Sequence, residues 1–168
     1  MLVAKPKARD KRKRFQNGDA MTTKTRVLIV DDEEIVRRGF LRVLSGGNHD
    51  VETVANGDEA LREMESHPFD VVLLDLRMPG TDGMRVLKTM KHRWPASEVV
   101  VVTGYPTIES AKEAISLGAN DYLAKPTEPE DVIRATGEAV SRKHWALHRE
   151  PEPNDIRAAF ATCTACAS

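Results

Sequence analysis

The chain has 168 residues, of which 40% are hydrophobic, 30% charged and 5% aromatic, with a formal net charge of −1 at pH 7. That length suits one α/β domain of about 100–150 residues with tails, not two full domains. No apolar run approaches the ~20 residues of a membrane helix, the N-terminus lacks a signal-peptide core, and two cysteines make no disulfide framework, so a cytoplasmic protein is expected rather than a secreted or membrane-spanning one.

The chain opens on a basic arm. Residues 1–25 hold eight Lys/Arg against Asp10 and Asp19, a net of +6, whereas residues 26–148 hold 15 Lys/Arg against 21 Asp/Glu, a net of −6. Residues 1–24 are expected to be disordered, because no apolar pattern accompanies the charge. Met21 is a plausible physiological start within that arm.

Five short apolar runs then alternate with five amphipathic stretches over residues 25–147. The runs are Val27–Val30, Val51–Val54, Val71–Leu74, Val99–Val102 and Tyr122–Ala124. Continuous β-branched runs without alternation suit strands buried on both faces, as in a parallel sheet. The first helix is expected to bury Ile35, Val36, Phe40, Val43 and Leu44 and to stop at Ser45-Gly46-Gly47. Ala60, Leu61 and Met64 mark the second, ended by His67-Pro68, and Met84, Val86, Leu87 and Met90 the third. Ile108, Ala111 and Ile115 mark the fourth, with Pro106 near its start and Gly118 past its end. Val132, Ile133 and Val140 mark the fifth, from about Glu128 to about Leu147. The alternation predicts a doubly wound α/β domain with helices on both faces of a five-stranded parallel sheet.

Residues 148–168 are expected to be a disordered tail, given Pro151 and Pro153. They contain Cys163 and Cys166, which with His144 and His148 offer the donor set of a Cys₂His₂ zinc site. No second CxxC supports that reading, and a plain tail is the expectation.

Ligands of doubly wound sheets bind beyond the carboxyl ends of the strands. Those ends here carry Asp31 and Asp32, Asp75, Thr103 and Lys125. Taken singly, Asp31 and Asp32 suit a helix cap, Asp75 a turn, Thr103 a strand and Lys125 a solvated surface. Taken together, three carboxylates at one edge call for a cation, and Mg²⁺ is the hard ion they suit. An ammonium and a hydroxyl beside them complete a pocket for a transferring phosphoryl group. A flavin-type phosphate loop is excluded by Asp-Asp-Glu-Glu after the first strand, which repels phosphate.

Four stretches carry a resemblance: Val27–Glu33, Asp70–Gly83, Val102–Gly104 and Gly118–Pro126. Over about residues 25–145 the chain resembles the receiver domain of two-component response regulators. The resemblance implies a flavodoxin-like strand order of 2-1-3-4-5. It implies that Asp75 accepts a phosphoryl group from a sensor histidine kinase or phosphotransfer protein. It further implies that Asp31, Asp32, Asp75 and the Arg77 carbonyl bind Mg²⁺, that Thr103 and Lys125 contact the phosphate, and that Tyr122 is the aromatic switch residue. Such a protein catalyses its own phosphorylation and dephosphorylation and is not a turnover enzyme. Its output would pass through a face formed by the fourth helix, fifth strand and fifth helix, without direct nucleic-acid or membrane binding by the domain. The alternative is the receiver piece of a longer DNA-binding transcription regulator whose effector domain is absent here; Gly104–Ala111 resembles receivers attached to ATPase-driven transcription activators.

Winged-helix regulators of this class place Phe after Lys-Pro and basic residues on a dimer face. Here Thr127, Ala111 and Ala135 stand at those positions, which leaves a homodimer only by another route. Arg77 and Tyr105, each two residues beyond a site residue, are expected to guard water access to the phosphoryl group.

Overall fold

The computed structural model describes residues 24–147. The basic arm and Met21, like the tail with His148, Cys163 and Cys166, lie outside those residues. The strands are β1 (Thr25–Val30), β2 (His49–Val54), β3 (Val71–Leu74), the two-residue β4 (Arg77–Met78) and β5 (Thr81–Asp82), β6 (Glu98–Thr103) and β7 (Asp121–Ala124). The helices are α1 (Glu34–Leu44), α2 (Gly57–Ser66), α3 (Gly83–Arg93), α4 (Ile108–Ser116) and α5 (Pro129–Leu147).

The five long strands pair in parallel in the order β2-β1-β3-β6-β7, the flavodoxin-like order. Because side chains alternate across a strand, the apolar runs feed two separate cores. Leu28, Val30, Val72, Leu74, Val99 and Val101 meet Met64 of α2, Val86, Leu87 and Met90 of α3 and Ala114 of α4. Val27, Ile29, Val71, Leu73, Val100 and Val102 meet Phe40 and Leu44 of α1 and Val132, Ala135 and Ala139 of α5. The uninterrupted β-branched runs are thus explained: both faces of the central strands are dry. Burying one such side chain contributes roughly 1.5–3 kcal/mol.

Three helix faces differ from the periodicity read along the chain. Ile35 is 79% exposed, and α1 buries Phe40 and Leu44 instead. Ile108 and Ile115 are 70% and 51% exposed, while α4 buries only Ala114, whose small side chain is what the close packing admits. Ile133 is 53% exposed, because α5 turns Val132, Ala135, Thr136 and Ala139 to the sheet. Ala135 is fully buried and therefore belongs to no exposed dimer face. The short antiparallel hairpin β4–β5 is also additional to the expected elements; Gly80 at its turn has φ +71°, which costs a glycine little.

Candidate functional site

Backbone pairing brings the strand ends to one edge. The Asp31 N–H donates to the Val54 carbonyl at 3.2 Å and the Asp75 N–H to the Val30 carbonyl at 2.9 Å. These bonds continue the β1–β2 and β1–β3 ladders by one residue, so Asp31 and Asp75 leave the sheet side by side. The Lys125 N–H donates to the Thr103 carbonyl at 2.8 Å, extending β6–β7 in the same way. The Lys125–Pro126 peptide is cis.

The side chains then converge. Lys125 Nζ lies 2.6 Å from Asp31 Oδ2 and 2.7 Å from Asp75 Oδ2, with Glu33 Oε1 at 3.6 Å. Carboxylate oxygens of Asp31, Asp32 and Asp75 all lie within 4.8 Å of one another. Asp31 and Asp75 are buried, whereas Asp32 is exposed at the rim. Burial pushes the Asp31 carboxyl up from its ordinary value, against the opposing pull of its bonds to Lys125 and the Glu33 N–H. For Lys125, burial is the largest single influence and favours the neutral amine, yet the bonds and charges of Asp31 and Asp75 together hold it above its ordinary value. One ammonium therefore faces three carboxylates. The remaining charge and the all-oxygen donor set fit a hard divalent cation.

Two hairpin and loop features close the surroundings of Asp75. The Arg77 N–H donates to Asp75 Oδ1 at 2.9 Å, fixing one carboxylate oxygen from the residue that starts β4. A Cβ on Gly83 would stand 2.7 Å from the Asp75 carbonyl oxygen and 2.5 Å from Leu76 Cα, so only glycine lets α3 begin this close to the Asp75–Leu76 backbone. Asp82 caps that helix, accepting from the Met84 and Arg85 N–H groups. The open cleft above Asp75 measures about 780 Å³ and is lined by Asp32, Glu33, Arg77, Thr81 and Tyr105 among others.

Thr103 is fully buried at the end of β6, and its Oγ1 accepts the Tyr105 N–H at 3.3 Å. Tyr105 itself is 70% exposed, with the Arg77 guanidinium 5.6 Å from its ring centroid, within cation–π range. The two residues expected at the water path thus meet each other over the cleft. Tyr122, half-buried, places its hydroxyl 2.7 Å from Ser110 Oγ in the first turn of α4.

Asp31 and Asp32 do not cap α1. Its N-cap residue is Glu33, which makes no side-chain cap bond, and Asp31 Oδ1 accepts the Glu33 N–H at 2.9 Å. Four participants escaped the sequence reading as site residues: Glu33, Arg37, Gly83 and Ser110. Ser110 had a local signal, since Thr107-x-x-Ser110 is the spacing of a capping box and forms one. Arg37 had none, because its partners are backbone carbonyls. His144, the described member of the candidate zinc set, lies in the last turn of α5, far along the chain from the acidic edge. Among the described residues no helix is long and apolar enough to cross a membrane.

The model of the response regulator receiver domain family matches residues 27–136. The chain is 35% identical over 130 residues to the DNA-binding transcriptional regulator NtrC of Salmonella typhimurium, covering 77% of this chain and 27% of that protein. It is similar in structure to a CheY-like receiver domain protein of Methanospirillum hungatei, with a TM-score of 0.70 at 27% identity, covering 73% of this chain and 98% of that one. NtrX of Brucella abortus, solved in complex with ATP, aligns at a TM-score of 0.70 and 29% identity over 74% of this chain and 28% of NtrX. The chain spans about a quarter of the length of the NtrC relatives it matches.

Proposed function

The chain belongs to the response regulator receiver domain family, and on that premise we propose that Asp75 accepts a phosphoryl group from the phosphohistidine of a sensor kinase or phosphotransfer protein. The observation that carries this is the Lys125 ammonium bridging Asp31 and Asp75 at 2.6 and 2.7 Å, with Asp32 beside them.

An Asp75 oxygen attacks phosphorus, and the bond from phosphorus to the donor's imidazole nitrogen breaks. That nitrogen keeps the bonding pair and takes a proton from solvent, while Asp75 becomes an acyl phosphate. Asp31, Asp32, Asp75 and the Arg77 carbonyl would hold Mg²⁺. When bound, that ion supplies neutralising charge for the carboxylates and the phosphoryl oxygens. Lys125 holds the acceptor in position and offers a cation to the phosphoryl group on the same side. Thr103, buried at the neighbouring strand end, would donate its hydroxyl to a phosphoryl oxygen.

The chemistry is self-catalysed phosphotransfer by an acceptor that is itself modified, in the cytoplasm where such donors work. Once Thr103 turns to the phosphate, Tyr122 moves inward and α4, β7 and α5 respond. Only differential contacts between the two states drive that shift, and a few kcal/mol suffice. A downstream partner would read this face, which exposes Ile108, Ile115 and Ile133. A second reading makes the domain the input of a transcription regulator; it is favoured by the match to about a quarter of a relative named as DNA-binding.

The test is labelling with acetyl phosphate and Mg²⁺. Label should depend on Mg²⁺ and be absent from Asp75→Asn; undiminished labelling of that variant would overturn the assignment.

A further inference from the structure

Arg37 lies one turn into α1, where side chains tilt back toward the helix N-terminus. Its Nη1 donates to the Asp31 carbonyl at 2.7 Å and to the Asp32 carbonyl at 2.9 Å. Asp31, Asp32, Glu33 and Glu34 precede it in sequence, yet among the described residues its guanidinium pairs with none of their carboxylates. The position is also unfavourable for a cation, because the helix dipole is positive at this end. The same helix start has no side-chain cap. Helix stability therefore does not explain this arginine.

The acidic loop explains it. Asp31 is held by its own N–H on Val54 and by the Glu33 N–H on its Oδ1. Asp32 has no comparable support: among the described residues its carboxylate accepts no hydrogen bond. No side-chain hydrogen bond among the described residues sets its place within 4.8 Å of Asp31 and Asp75, whereas the Arg37 guanidinium holds the two carbonyls that flank Asp32. We propose that Arg37 is the positioning residue of the acidic pair, holding the Asp31–Asp32 backbone so that both carboxylates converge on a divalent cation. The inference rests on the metal reading above and adds to it a residue that never touches the metal.

The sign of the effect separates positioning from plain electrostatics. Coulomb's law alone says that removing a cation near three carboxylates strengthens binding of another cation. Positioning says the opposite, since groups that orient metal ligands typically cost about 10–100-fold in affinity when removed. Mn²⁺ binding to the whole chain, read from the free-ion EPR signal, decides between them. Arg37→Met keeps the aliphatic stem and should weaken Mn²⁺ about tenfold or more, with a metal-free Tm within a few degrees of the parent. Arg37→Lys, which keeps a cationic donor on a long stem, should bind Mn²⁺ more tightly than Arg37→Met. If Arg37→Met does not fold, Arg37→Gln, with one donor group restored, should lose between about threefold and tenfold. Affinity within twofold of the parent in the folded variant, or tighter, would overturn the proposal while leaving the metal reading intact. A parent protein that binds no Mn²⁺ would overturn both.

Discussion

The hydroxyls of Tyr122 and Ser110 lie 2.7 Å apart, and Ser110 is at the same time the third helical residue of the α4 capping box. Its Oγ also accepts the Thr107 N–H at 3.2 Å and lies 3.0 Å from Thr107 Oγ1. Inward rotation of Tyr122 therefore gives up a bond to the group that starts α4. The aromatic residue and the helix N-terminus are one mechanical unit, which is how a change at Asp75 would reach the exposed α4 surface.

Because the chain has only two tyrosines, fluorotyrosine NMR gives two signals that Tyr105→Phe assigns. In Ser110→Ala the Tyr122 signal should move toward its phosphorylated position before any phosphate is added, and that variant should need less acetyl phosphate for half-maximal response. A Tyr122 signal unmoved in Ser110→Ala, or unmoved in the parent on phosphorylation, would sink this coupling.

Asp31 supplies a prediction on stability and pH. Its folded carboxyl is raised by burial, so its contribution to stability is present below the ordinary value of 3.8 and lost as pH rises through the folded value. Once ionised, Asp31 is thus a cost that the metal-free protein carries. Lys125, raised from 10.5, stays charged throughout this range and does not reverse the sign. Asp31→Asn should therefore raise the Tm in EDTA at pH 7, by a gain on the order of 1 kcal/mol or about 4 °C. The parent should gain stability from Mg²⁺, about 2.7 kcal/mol at a hundredfold excess over Kd. Asp31→Asn should lose that gain. Thermal melts with and without Mg²⁺ check both signs; an Asn variant less stable in EDTA would refute the first.

The lifetime of the acyl phosphate is the third expectation. Hydrolysis requires a water approaching phosphorus opposite the Asp75 oxygen. Arg77 and Tyr105, 5.6 Å from guanidinium to ring centroid, stand together at the cleft mouth, and neither side chain is a base at neutral pH. The phosphorylated state should persist for minutes or longer. Tyr105→Ala and Arg77→Asn should each shorten it, and because the two residues support one another the double variant should gain less than the sum of the singles in log rate. Decay measured after donor removal at rates equal to or slower than the parent would refute shielding.

Much of the fold was legible along the chain because its signals are local. Each central strand is a run of four or more β-branched or leucine residues, long enough to be covered on both faces. Asp31, Asp75 and Thr103 follow such runs directly, and Asp31, Asp75 and Lys125 stand within a residue of a strand end. Helix faces were less legible. Ile108 and Ile115 fit a helical stripe, but α4 packs on Ala114, and apolar spacing alone cannot tell a core stripe from an exposed one.

The sequence by itself determined the order of elements, the parallel sheet and the set of strand-end residues, since these depend on residue type within a few positions. Only the tertiary structure decided that Lys125 bridges Asp31 and Asp75 across 50 and more residues of chain, that Arg37 grips two carbonyls, and that Tyr122 shares a bond with the start of α4. Backbone carbonyls are present at every residue, and side-chain pairing across strands depends on register and distance, so neither leaves a pattern in the one-dimensional chain.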